Sequence, residues 1–135
     1  MQSGTQTAPL SKKRLWAGRI MSALPVVMLL LSAVMKLAKP APVVEGFAHF
    51  GYPANLILGI GILELVCTVL YLVPRTSILG AILLTGYLSG AVATHVRVGD
   101  PLFFHVLFPT YVAALLWLGL YLREDRLCAL IPLRS

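Results

Sequence analysis

Residues 53–73 read PANLILGIGILELVCTVLYLV, a run long enough to cross a bilayer with one carboxylate, Glu64, near its middle. An ionised side chain at that depth costs roughly 2.5–3.5 kcal/mol or more on insertion scales, unless it is protonated, paired or turned to a wet cavity. Glu64 is therefore expected to avoid lipid. On a helix, at about 100° per residue, Ile57, Gly61, Glu64, Thr68 and Tyr71 fall on one stripe. That stripe is small or polar, while the rest of the surface is Leu, Ile and Val. The pattern predicts a span with lipid on most sides and a polar line facing its neighbours.

The rest of the chain agrees with a membrane class. Apolar residues make up 59% of the 135 and charged residues 12%, which excludes a soluble domain with a charged shell for most of the sequence. This length holds four spans of roughly 20 residues with short connections. The net charge of +6 does not point to nucleic acid, because of where the cations sit. Lys12, Lys13, Arg14 and Arg19 flank the first apolar run, and Arg75, Arg123, Arg126 and Arg134 lie at alternate span ends, against only Lys36, Lys39 and Arg97 on the opposite flanks. By the positive-inside rule both termini are expected in the cytoplasm. The expected fold is an all-α integral membrane protein, an antiparallel four-helix transmembrane bundle.

Residues 1–14 are expected to form a disordered basic tail. A four-span membrane domain follows over 15–122, with spans at about 15–38, 53–73, 77–98 and 102–122, and a cytoplasmic tail over 123–135. The first apolar run is longer than a signal-peptide core and is read as an uncleaved span. Pro25 should bend it or favour close packing. Residues 39–52, KPAPVVEGFAHFGY, are broken by Pro and Gly and carry Phe47, Phe50 and Tyr52, which suits a re-entrant or interface-lying segment. Thr76 or Ser77 is placed to cap the third span. There Gly86 and Gly90, extended by Ala93 and Arg97, predict a close helix approach, while Gly80, Tyr87, Ala91 and Thr94 form another side. Gly99-Asp100-Pro101 is a turn, Pro109 interrupts the fourth span, and LCALIPL in the tail is expected along the membrane surface. Cys67 and Cys128 show neither disulfide nor metal spacing.

Aligning the spans by their midpoints puts Glu64 level with Gly86 and Tyr87 and near Tyr111. About 10–13 Å further out, at 1.5 Å per residue, lie Lys36, Asn55, His95, Arg97 and His105. The candidate ligand- or proton-binding residues are thus Glu64, Tyr87, Thr94, His95, Lys36, Arg97 and His105. Each has a plainer reading: Glu64 as a hydrogen-bonded group joining helices, Lys36 and Arg97 as snorkelling interface cations, Gly86 and Gly90 as packing. His95 and His105 lack a third ligand, so no metal site is assigned, and no residue is assigned a catalytic role.

The sequence resembles the DoxX-like family of small four-helix bacterial membrane proteins across roughly residues 19–122. The resemblance rests on SAVMKL (32–37), HFGYP (49–53), LGIGILEL (58–65), PRT (74–76) and, most specifically, LTGYLSGAVATHVRVGDP (84–101), where Ser89 replaces an expected glycine. It implies a multi-pass protein of the bacterial cytoplasmic (inner) membrane. Some relatives are implicated as membrane subunits of oxidoreductases linked to quinone, sulfur or oxidative-stress chemistry. Nothing else in the sequence shows redox chemistry: there is no C-x-x-C, dinucleotide fingerprint or haem ligand set, so a partner subunit would have to supply the cofactor, and for the chain itself the expectation is quinone or none.

Three functions follow as expectations. The chain is a membrane component that binds a hydrophobic or quinone-like molecule or docks a soluble redox partner, not catalytic alone, with Glu64, Tyr87 and His95 as hydrogen-bonding and proton-accepting groups. Alternatively it is a proton-coupled small-molecule transporter, or a structural anchor in which Glu64 serves assembly. Its expected surroundings are the lipid bilayer and a redox partner or further copies of itself, and no nucleic acid.

Overall fold

Six helices and one π-helical turn make up most of residues 11–131, the part of the chain that the computed structural model describes. The first, α1 (Lys12–Ala38), starts where Ser11 Oγ accepts from Arg14 N at 3.2 Å and stops where Lys39 turns left-handed, with φ of 51°, ahead of Pro40. Lys12–Arg14 are therefore the opening turn of a helix, which corrects the disordered tail expected over 1–14; residues 1–10 and 132–135 lie outside the described residues. Pro25 is buried within a continuous α1. The short α2 (Ala41–His49) carries its proline in the first turn, where no N–H is missed, and buries none of its residues fully. Then come α3 (Asn55–Leu72), α4 (Ser77–Val98), the π-helical turn over 102–106, α5 (Phe108–Arg123) and a short α6 (Asp125–Leu130).

Four stretches are long and apolar enough to cross a membrane: Lys12–Ala38, Asn55–Leu72, Ser77–Val98 and Leu102–Arg123. The protein is a four-helix integral membrane bundle, and among the described residues it contains no strand. In the bundle α1 packs on α3 and α5, and α4 packs on the same two helices, so the long helices form a ring. Val26, Leu29, Tyr71, Leu84, Leu116 and Leu120 fill its centre. Ile20, Leu24, Leu31, Ile62, Val66 and Ile82 point outward, the side expected to meet acyl chains. All five residues of the predicted α3 stripe are buried.

Helix contacts are set by small residues, though not the expected pair. A Cβ added at Gly18 would come within 2.8 Å of Gly119 O, and one at Gly119 within 2.9 Å of Gly18 O, so α1 and α5 touch backbone to backbone. Gly61 meets Lys36 of α1 at 2.8 Å on the same test, and Gly80 sits on the Tyr71 backbone beside the α3–α4 turn. Gly86 and Gly90 are exposed, with nothing within 4 Å. Their spacing marks a face able to pack closely, and among the described residues no helix lies against it.

Two further expectations change for reasons of local bonding. Neither Thr76 nor Ser77 caps α4: the Thr76 hydroxyl donates to Leu70 O at 2.7 Å and that of Ser77 to Val73 O at 2.9 Å. They satisfy the last carbonyls of α3 in place of the first amides of α4. Pro109 does not break α5 but stands in its first turn; the irregularity lies just before it, in the π-helical turn.

Candidate functional site

The polar stripe of α3 brings Glu64 against α1, and there the carboxylate finds its counter-charge. Lys36 Nζ lies 2.8 Å from Glu64 Oε2, with the two side chains 12% and 2% exposed. Ser32, one turn before Lys36, donates to the same oxygen at 3.2 Å and accepts from the ammonium itself. Lys36 therefore does not snorkel; it turns inward, and Gly61, lacking a side chain, leaves room for its stem. A buried pair of this kind holds only if its remaining donors and acceptors are met, and Ser32 meets one on each partner. The Tyr87 hydroxyl is the further polar group beside the Glu64 carboxylate, as the sequence reading expects, and Glu64 Oε1 is not sealed from the space next to it.

That space is a cavity of about 390 Å³ among α1, α3 and α4. Ser32, Lys36 and Glu64 form its deep polar side. Tyr87, Ala91 and Thr94 line it from α4, Ile60 and Leu63 from α3, and Phe47, Phe50 and Tyr52 close it from α2 and the following loop. Leu63 and Gly90 also belong to the outward faces of their helices, so the cavity reaches the side of the bundle between α3 and α4. The open Gly86/Gly90 face thus borders a cavity instead of a helix.

The α2 end of the cavity is held by a second polar group. His95 Nδ1 approaches Asp100 Oδ2 at 2.6 Å, and His49 Nε2 lies 3.5 Å from the other oxygen. These bonds, chiefly that of His95, hold the Asp100 carboxyl below the usual carboxylate range. Phe50 packs edge-on to the His95 ring, with centroids 5.0 Å apart. Arg97 donates to Phe50 O and stands over the Tyr52 ring at 5.9 Å. Thr94 donates to Gly90 O at 2.9 Å and so accepts from the Tyr52 hydroxyl at 3.0 Å. In this way α4 holds the loop that closes the cavity.

Of the candidates read from sequence, Glu64, Lys36, Tyr87, Thr94 and His95 line one cavity. Arg97 and His105 do not. Arg97 serves the α2 loop from outside, and His105, exposed on the π-helical turn, has its ring 6.0 Å from that of His95. Tyr111, expected near Glu64, is instead 47% exposed on an outer face of α5. Among the described residues no group of three or more His, Cys, Asp or Glu could hold a metal ion. Ser32 was missed, although its position four residues before Lys36 puts the two on one helical face. The role of Asp100 was also missed, hidden by its reading as a turn residue.

No curated protein and no solved structure matches this chain. The family model of the DoxX-like family matches residues 20–119, the four spans and their connections almost entire, and the chain belongs to that family.

Proposed function

We propose that the cavity around Glu64 binds an apolar molecule carrying a few hydrogen-bonding groups, a quinone being the kind that the family resemblance favours, and that the protein acts as a membrane subunit or docking partner in redox or oxidative-stress functions. The observation that supports this reading is a cavity of about 390 Å³ in which apolar and aromatic walls meet a carboxylate held by Lys36 and Ser32, with the Tyr87 hydroxyl beside it. Small-molecule sites are commonly built this way, with apolar area for affinity and few polar groups for orientation. Glu64 Oε1 would accept from a ligand hydroxyl, and the Tyr87 hydroxyl and the Lys36 ammonium would donate to a carbonyl. A ligand dissolved in the bilayer would enter from the side, past Leu63 and Gly90. On this reading both termini are cytoplasmic and the cavity lies in the outer half of a bacterial inner membrane, which the bias of cations toward one set of span ends supports.

The transporter reading is weakened by the same geometry. A carboxylate that carries protons across a membrane needs a state in which it stands without a counter-charge, and Lys36 supplies one at 2.8 Å. The anchor reading is separable by experiment. Protein purified in mild detergent should retain a quinone or similar lipid detectable by native mass spectrometry, and a short-chain benzoquinone added to delipidated protein should bind. Tyr87→Phe and Glu64→Gln should each weaken that binding several-fold in folded protein. Unchanged retention and binding in both variants would leave the cavity without this role.

A further inference from the structure

At the opposite end of the bundle, beside the first turns of α1 and the end of α5, is a second cavity of about 470 Å³ with the reverse electrostatic character. Arg123, at the end of α5, and Arg19, on the first turns of α1, both line it. The single carboxylate on its wall, Glu124, is bound by Arg126, which lies outside the cavity, at 2.9 Å; that bond holds the carboxyl below its usual range. Two arginines therefore line this space, while the acid beside them is compensated chiefly by Arg126 and only secondarily by Arg123.

Arg123 is fixed in place. Its Nε donates to Ser22 Oγ at 3.2 Å; Ser22 lies 3.0 Å from Tyr71 Oη, which donates to Leu116 O at 2.6 Å. Its guanidinium also stands over the Tyr71 ring at 5.1 Å. One edge of the fork is spent on the protein, and among the described residues the Nη groups donate to no protein acceptor. A guanidinium held by Nε and by stacking, with free Nη donors, suits bidentate contact with a phosphate or carboxylate at little ordering cost. Arg19, stacked 5.6 Å from the Trp16 ring, supplies a second cation at the rim. Below them the wall is apolar, and Val27 and Leu72, 53% and 48% exposed, carry it out to the lipid-facing surface.

From this arrangement we infer that the cavity between Arg19 and Arg123 binds a phosphate group, with the apolar wall below it taking the acyl chain of an anionic phospholipid. The inference does not depend on the Glu64 cavity, which neutralises its own charge. Delipidated protein in mild detergent is titrated with dioleoyl phosphatidylglycerol, dioleoyl phosphatidylcholine or inorganic phosphate, and bound species are counted by native mass spectrometry. Phosphatidylglycerol should bind at least about tenfold more tightly than phosphatidylcholine, Arg123→Gln should lose about tenfold, Arg19→Gln less, and Lys39→Gln, exposed beyond the opposite end of α1, nothing. Failure of millimolar phosphate to displace the lipid identifies the lipid as the source of the phosphate group; displacement, with phosphate binding lost in Arg123→Gln, identifies the free anion. Equal binding of the two lipids, or undiminished phosphatidylglycerol binding by folded Arg123→Gln, would overturn the inference. Should Arg123→Gln not fold, Arg19→Gln, altered at an exposed side chain, decides: full binding by that variant overturns it as well.

Discussion

The two cavities of this bundle are of similar size and treat charge in opposite ways. Around Glu64 one cation meets one anion inside the bundle, Ser32 bridges them, and aromatic residues of α2 close the space. Around Arg123 the cations are in excess and the local acid is compensated by Arg126. Depth explains the difference. Glu64 lies nine residues into α3, about 13 Å along the helix axis, where an uncompensated charge is costly. Arg123 ends α5 and Arg19, about two turns into α1, is exposed, so both guanidinium groups reach water and headgroups at little cost. A deep polar group has to be neutralised before the protein can use it, whereas a shallow one can be left for a ligand to neutralise.

The largest test of this contrast is to unbalance the deep pair. Lys36→Met leaves Glu64, 2% exposed, without its counter-charge and should lower stability in detergent by about 3–5 kcal/mol, read from thermal unfolding. Glu64→Leu should cost less, since Lys36 is already 12% exposed and its long stem can swing toward the interface. The double variant should recover most of the loss, because apolar side chains of similar size can replace a buried pair. If Lys36→Met is as stable as the parent protein, the pair does not hold the deep site.

A smaller effect is expected from the glycines that distinguish the two ends. Gly119→Ala pushes a methyl group into Ser22 and the backbone of α1, an overpacking worth about 1–3 kcal/mol. Gly86→Ala meets nothing within 4 Å and should be neutral or slightly stabilising. Comparable losses in the two would mean that the Gly86/Gly90 face is covered in the folded protein, by a further copy of the chain or by another subunit.

The smallest effect is one of pH and belongs to the closure of the Glu64 cavity. The Asp100 carboxyl is held below its ordinary value mainly by His95, so its contribution is complete above about pH 4, the ordinary range for an aspartate, and is lost as pH falls through the lowered value. Hydrogen exchange over 41–50 should be unchanged between pH 7 and pH 5 after correction for intrinsic rates, and should rise below about pH 4. Asp100→Asn should remove that acid response. An acid response that survives in Asp100→Asn would place the clamp elsewhere.

Much of the fold was legible because hydropathy and period are properties of single segments. The spans, the α3 stripe with Glu64 and the turn at Gly99-Asp100-Pro101 each follow from a local pattern. What was not legible depends on how one helix is set against another. Lys36 and Glu64 pair because α1 and α3 meet with Gly61 beside the lysine stem, and no local pattern contains that register. Gly86 and Gly90 have packing spacing without a partner, whereas Gly18 and Gly119, each a lone glycine on its helix, make the closest crossing. The pairing of Cys128 Sγ with Arg14, at 2.8 Å across 114 residues, had no sequence signal either. Charge sign was readable at every position; compensation was not, because it is a property of pairs.

The Lys36–Glu64 bond also bears on the order in which the protein is made. Lys36 leaves the ribosome 28 residues before Glu64, at the far end of a span that has already entered the membrane. Released alone into hydrocarbon, the second span would carry its carboxylate at the full cost of about 2.5–3.5 kcal/mol. The first span is therefore expected to ease insertion of the second, by presenting the complementary charge when α3 arrives. In an insertion assay with glycosylation tags, Lys36→Met should lower the fraction of chains in which α3 spans the membrane, and Glu64→Leu in the same background should restore it.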